Sequence, residues 1–233
     1  MRLKVFNHYK IGTPRVERNS SMRMFSLRLL LGVLAMTAPV GAQEPASKKA
    51  KIGEPAAGQA QIGQPAPDFA LKDLDGNVRK LADLKGKIVV LEWINHECPV
   101  VNRCHTAHTM TNALEKFKGK PVEWLSVNSS SFIGEKMAEA KKWMEDKKIP
   151  YAMLLDADGK VGRMYGAKTT PHMFVIDPKG NLAYAGAIDN EPTTEDKDQV
   201  RNYVTEAVTA LLNGSTVATP ETKSYGCTVK YKS

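Results

Sequence analysis

Residues 87–94 read KIVVLEWI, an almost unbroken run of apolar and β-branched side chains. A strand takes this composition when both of its faces are covered, as at the centre of a parallel sheet. The run empties into Asn95-His96-Glu97-Cys98-Pro99, and a helical pattern follows as far as Phe117. The remaining chain continues the alternation. Strands are expected at 122–127 and 151–155, a Lys- and Glu-rich helix at 134–148, and a short helix ending at Tyr165. A hairpin is expected over 172–177 and 182–187, turning at 178–180. A long amphipathic helix should cover 194–212, with Gly214 as its stop. Upstream, residues 67–80 alternate apolar and polar about Asp75-Gly76, which predicts a hairpin, and 81–86 should form a helical turn. The expected fold class is therefore α/β: a central mixed sheet, parallel in its middle, flanked by helices on both faces, with an N-terminal hairpin extension.

Length allows one domain with appendages. The chain has 233 residues and a formal net charge of +8, yet residues 1–42 carry +6 of that and the remainder only +2. The domain itself thus lacks the basic excess of a nucleic-acid-binding protein. From Met22, the expected start, the sequence MRMFSLRLLLGVLAMTAPVGAQ places Arg23 and Arg28 before an apolar stretch at 29–38 and a small-residue site ending at Ala42. That layout is a secretory signal peptide, with cleavage expected after Ala42 and a periplasmic or secreted product. No cysteine follows the apolar stretch and no apolar run is long enough to span a bilayer, so no membrane anchor is expected. Residues 43–60 read as a linker, 61–213 as the domain, and 214–233 as a tail containing Cys227. Outside the cytosol thiols oxidise and disulfides persist. The odd total of three cysteines leaves at least one thiol free or paired outside the chain.

Cys98 stands at the expected N-cap of a helix, and Pro99 occupies the first helical position, where its missing N–H costs nothing. The positive end of the helix dipole favours a thiolate there, the nucleophilic form. Cys104 lies six residues further on, which on a helix means about 9 Å of rise and a position on another face. A disulfide needs Cα atoms about 4.4–6.8 Å apart, so Cys98 and Cys104 could bridge only if the first turns unwound. Cys104 also falls on the apolar stripe Val100, Cys104, Ala107, Thr111, Leu114, which suits a packed structural thiol. Both readings stand. Glu92 interrupts the buried strand; a buried carboxylate is functional or paired, and the alternative is that the strand twists and Glu92 reaches a lysine or solvent.

The segment IGQPAPDFALKDLDGNVRKLADLKGKIVVLEWINHECP resembles the opening of redoxins in the thioredoxin superfamily, in particular the peroxiredoxin-like, thiol-specific-antioxidant branch. YGAKTTPHMFVIDPKGNLAYAG resembles the segment that carries the family's Thr-Pro pair, and TKSYGCTVKY resembles the tail of exported redoxins. The resemblance spans about residues 61–230 and implies a thioredoxin-like fold, with a cis bond before Pro171 and the Thr170 backbone presented to an extended substrate beside Cys98. It implies an acid six residues before the nucleophile as proton acceptor, the position of Glu92. Three features depart from the family patterns. Val101 stands where thioredoxins have their second cysteine. Leu91 and Asn95 stand where peroxiredoxins have Pro and Thr, and Pro171 where they place an Arg. The implied activity is an exported thiol-based oxidoreductase without a cofactor. Cys98 would attack a peroxide or a protein disulfide, with Glu92 and Pro171 as catalytic residues, Thr170 and Pro99 lining the substrate site, Cys104 or Cys227 resolving, and an external thiol as reductant. Two alternatives remain: a copper(I) carrier using Cys98, Cys104, His105 and His172, because soft thiolates with imidazole suit that ion, or a redox-inactive binding module.

Overall fold

The structure, a computed structural model, describes residues 59–191 and 200–232. The proposed signal segment and most of the linker lie outside the described residues. Among the described residues no helix is long and apolar enough to cross a membrane.

The chain runs β1 (Ala70–Asp73), β2 (Val78–Lys80), a 3-10 turn (Leu81–Leu84), β3 (Ile88–Trp93), α1 (Pro99–Thr106), α2 (Thr109–Glu115), β4 (Val122–Asn128), α3 (Met137–Asp146), β5 (Met153–Leu155), α4 (Lys160–Tyr165), β6 (Thr169–Thr170), β7 (His172–Ile176), β8 (Leu182–Gly186), α5 (Tyr203–Leu212) and β9 (Cys227–Thr228). Seven strands form one sheet in the order β2-β1-β5-β4-β3-β7-β8, and β6 pairs separately with β9. β3, β4 and β5 are parallel, while β7 and β8 on one side and β1 and β2 on the other are antiparallel. This is the expected mixed sheet with a parallel centre.

β3 is the hinge of the packing because all six of its residues are buried. Val90 faces Cys104, Met110, Ala113 and Val204, contributed by α1, α2 and α5. Leu91 and Trp93 face the other way, against Val161 and Tyr165 of α4 and Phe174 of β7. The Trp93 ring lies 5.0 Å from Phe174 and 5.1 Å from Tyr165. Fully burying side chains of this size stabilises by about 1.5–3 kcal/mol each, which explains why this run dictates the topology. α3 packs on the α1 side through Ala140 and Met144 against Ile94, Val101 and Met153.

Two helical expectations need correction. The pattern through Phe117 is two helices, broken at His108, whose φ of 57° places it in the left-handed region. The expected helix over 194–212 begins only at Tyr203, where the Asn202 side chain accepts from the Thr205 N–H as a cap. Residues 192–199 lie outside the described residues.

After α5 the tail returns across the molecule in extended form. The Ala185 N–H donates to the Pro220 carbonyl and the Thr222 N–H to the Ala185 carbonyl, at 3.0 and 3.1 Å. The Tyr225 hydroxyl donates to Asp189 at 2.6 Å, the Val229 N–H to Lys168 O at 3.1 Å, and the Tyr231 hydroxyl to Ala167 O at 2.8 Å.

Candidate active site

Three segments converge at the carboxyl end of β3. The first is the start of α1. Cys98 is its N-cap, with extended φ and ψ, and Pro99 opens the helix. The second is the loop between β6 and β7, where the Thr170–Pro171 bond is cis. The third is the tail, where Cys227 pairs with Thr170 and Thr228 with Thr169 in antiparallel register. Cys98 is 2% exposed; its sulfur lies 3.2 Å from the Thr170 carbonyl oxygen and 2.6 Å from the Cys227 sulfur. All three cysteines are free thiols, and Cys227 is half-buried.

Burial pushes the Cys98 thiol up, but the Cys227 thiol, the Thr170 side chain and the Val101 and Cys227 amides outweigh it and hold the thiol below its ordinary value. The Val101 amide belongs to the first turn of α1, so the helix start contributes as its geometry suggests. Cys227 moves the other way: burial and the neighbouring Cys98 raise it. A pair in which one thiol ionises before the other has a nucleophile and a reserve thiol.

Cys104 is not part of this pair. It packs in the core with Met110, Phe117 and Trp124, and burial raises its thiol. The structural reading of Cys104 thus matches its surroundings, and the thiol beside Cys98 comes from the tail.

Glu92 is fully buried, as its strand suggested, but its partner is neither a lysine nor solvent. His105 Nε2 lies 2.9 Å from one carboxylate oxygen; the Tyr151 hydroxyl donates to the other at 2.7 Å, joined by the Trp124 N–H at 3.5 Å. The carboxylate therefore ties α1 to β4 and to the chain before β5, and its hydrogen bonds do not go to Cys98. Its charge and its own burial push the Tyr151 hydroxyl well above its ordinary value, burial being the larger cause. Tyr151 is the site-forming residue that sequence reasoning did not find, and His105, singled out there only as a copper ligand, is instead the partner of Glu92. His105 reads as a polar helix residue because its partner is 13 positions away on another element.

The proposed copper ligands are scattered. Cys98 lies beside Cys227, Cys104 lies in the core, His105 is held by Glu92, and His172 Nδ1 accepts from the Lys168 N–H at 3.2 Å. Among the described residues the one grouping with metal-ligand spacing is His96, Glu97 and Glu139. There the Lys136 ammonium already pairs with Glu97 and lies 3.8 Å from Glu139.

The sheet order, the cysteine at the helix start and the cis-proline loop beside it define a thioredoxin-like protein with a paired-cysteine site. The chain belongs to the AhpC/TSA family, whose profile matches residues 62–185. It is similar to the thiol-disulfide oxidoreductase ResA of Bacillus subtilis, with 31% identity over 116 residues covering 50% of this chain and 62% of the relative. It is also similar to the chloroplastic peroxiredoxin Q of Triticum aestivum, with 29% identity over 126 residues covering 51% and 55%. The chain thus spans about three-fifths of the length of these curated relatives. Among solved structures, an uncharacterized conserved protein of Geobacillus kaustophilus matches with a TM-score of 0.67 and 28% identity, covering 74% of this chain and 93% of that one.

Proposed function

We propose that this chain is an exported thiol–disulfide oxidoreductase that works through Cys98 as attacking thiolate and Cys227 as resolving thiol. One observation carries the reading: the two sulfurs stand 2.6 Å apart at the start of α1, with only Cys98 held below the ordinary thiol range. The Cys98 thiolate attacks one sulfur of a substrate disulfide. A Cys98–substrate bond forms, the substrate's S–S bond breaks, and its other sulfur leaves as a thiolate. Cys227 then loses its proton to solvent and attacks Cys98, forming the internal disulfide and releasing the second substrate thiolate. An external thiol restores the reduced pair. The family membership and the names of its relatives support this chemistry. A peroxide could enter the same cycle through a sulfenic acid on Cys98. The departures at Leu91, Asn95 and Pro171 from the peroxiredoxin pattern favour a disulfide as the oxidised substrate.

In this reading Thr170 and Pro171 wall the approach to Cys98, and Pro99 fixes the start of α1. Glu92 is a positioning residue that holds α1 through His105 in place of the direct proton acceptor implied by its spacing. Export rests on the 22–42 segment, and the exported protein should begin at Gln43.

The test is single-turnover reaction of the purified, reduced protein with glutathione disulfide and with hydrogen peroxide. Cys98→Ser should abolish both reactions, Cys104→Ser should leave both intact, and Cys227→Ser should accumulate a stable mixed disulfide on Cys98. Faster reaction with peroxide than with glutathione disulfide would overturn the preference, and reaction persisting in Cys98→Ser would overturn the mechanism.

A further inference from the structure

The edge that Thr169 and Thr170 offer beside Cys98 is already filled. The chain's own tail lies on it as β9, antiparallel, with Cys227 opposite Thr170 and Thr228 opposite Thr169. The fit is that of backbone against backbone. Gly226 has a φ of 113°, and a Cβ built on it would collide with the Thr170 carbonyl oxygen. Only glycine brings the strand this close. Anchors hold the strand from both sides: Tyr225 on Asp189 before it, and after it Val229 on Lys168 and the Lys230 carbonyl on the Ser131 N–H at 2.8 Å. The Tyr231 ring lies under the Arg163 guanidinium, 4.7 Å from the ring centre, and the side chain rests against Gly159 and Gly162, where added Cβ atoms would meet its ring at 2.5 Å and its hydroxyl at 2.6 Å. The tail therefore occupies the place, the direction and the sulfur position that an extended polypeptide carrying a cysteine would take if it added as a strand to that edge.

We propose that residues 225–229 act as a tethered substrate strand, which makes the closed protein selective for small disulfides and bars protein disulfides until the tail is displaced. The inference rests on the redox reading of Cys98 and names the substrate class of that same site. A compact disulfide needs only a line of approach to the Cys98 sulfur. A protein disulfide brings flanking backbone, and that backbone needs the edge that β9 holds.

The experiment measures the rate at which Cys98 is consumed in the reduced, full-length protein by glutathione disulfide and by insulin, and takes the ratio of the two rates. Gly226→Ala and, independently, Tyr231→Ala loosen the strand without touching Cys98 or removing Cys227, and faster hydrogen exchange at the Val229 amide reports the loosening. In both variants the insulin-to-glutathione ratio should rise roughly tenfold, the scale of a clash or a lost anchor at one backbone position. In Cys227→Ser, which keeps the strand and removes only the thiol, the ratio should stay at the wild-type value. A ratio that does not move when the Val229 amide exchanges faster overturns the proposal, as does a wild-type protein that takes insulin as readily as the loosened variants. If wild-type Cys98 does not react with glutathione disulfide at all, the redox reading itself fails, and that result is distinct from either.

Discussion

At Cys98 burial and hydrogen bonding oppose each other, and the hydrogen bonds win. Cys227 supplies part of that advantage, so Cys227→Ala in the Cys104→Ser background should move the Cys98 titration, followed by thiolate absorbance, upward, whereas an unchanged titration would show that the helix start acts alone. Glu92 offers a second contrast. If its carboxylate positions α1 through His105, Glu92→Gln should lower stability by about 1–3 kcal/mol, because a buried partner is left imperfectly satisfied. The pH profile of Cys98 should not shift. A direct proton acceptor would behave oppositely, with turnover falling by about 10²-fold or more and the melt preserved. His172 gives a prediction in pH. Its burial, reinforced by Lys168, pulls the imidazole down to about 4 from an ordinary 6.5. The unfolded chain therefore takes up this proton first as pH falls. The contribution of neutral His172 is fully present above pH 6.5, shrinks below it, and is gone near pH 4, a loss of up to about 3 kcal/mol. Denaturant titrations at pH 7 and pH 4 should show a smaller difference for His172→Asn than for the wild type; an equal difference would place the acid sensitivity elsewhere.

The elements show which parts of the fold a sequence can disclose. β3 is legible because both faces are buried, so every residue of 88–93 but Glu92 is apolar. The hairpins are legible from their turn residues. The break between α1 and α2 is not, because no glycine or proline marks it; a histidine takes the left-handed conformation at His108 instead. His108→Gly should therefore raise stability by about 0.5–1 kcal/mol, since glycine adopts that φ without the penalty a Cβ brings. A β-branched residue there should lower it, and an equal melt for His108→Gly and His108→Val would contradict the account. The proposed nucleophile is legible in the local pattern of Cys98 and Pro99, a cysteine at a helix N-cap with proline at the first helical position. Its partner was visible only as a cysteine in a tail, because the pairing with Thr170 is formed across 57 residues and no short-range pattern encodes it. In the same way the burial of Glu92 could be read from its strand, but its partners His105 and Tyr151 lie 13 and 59 positions away.

For the whole molecule, the cycle proposed above draws its thiolate from a thioredoxin-like core and its second sulfur from an extended C-terminal strand. The core brings Cys98 to the carboxyl end of β3, beside a cis-proline loop that presents the edge of Thr170. The tail, pinned on Asp189, Lys168, Ser131 and Ala167, delivers Cys227 to that edge. On that proposal Cys227 stands in for a second cysteine three residues after the first, where Val101 is buried in the packing against α3. The most direct measurement is mass mapping of the disulfide that forms when the reduced protein is titrated with one equivalent of glutathione disulfide. The account predicts an intramolecular Cys98–Cys227 bond, with Cys104 remaining a free thiol. A Cys98–Cys104 bond, or a product cross-linked between two chains, would contradict it.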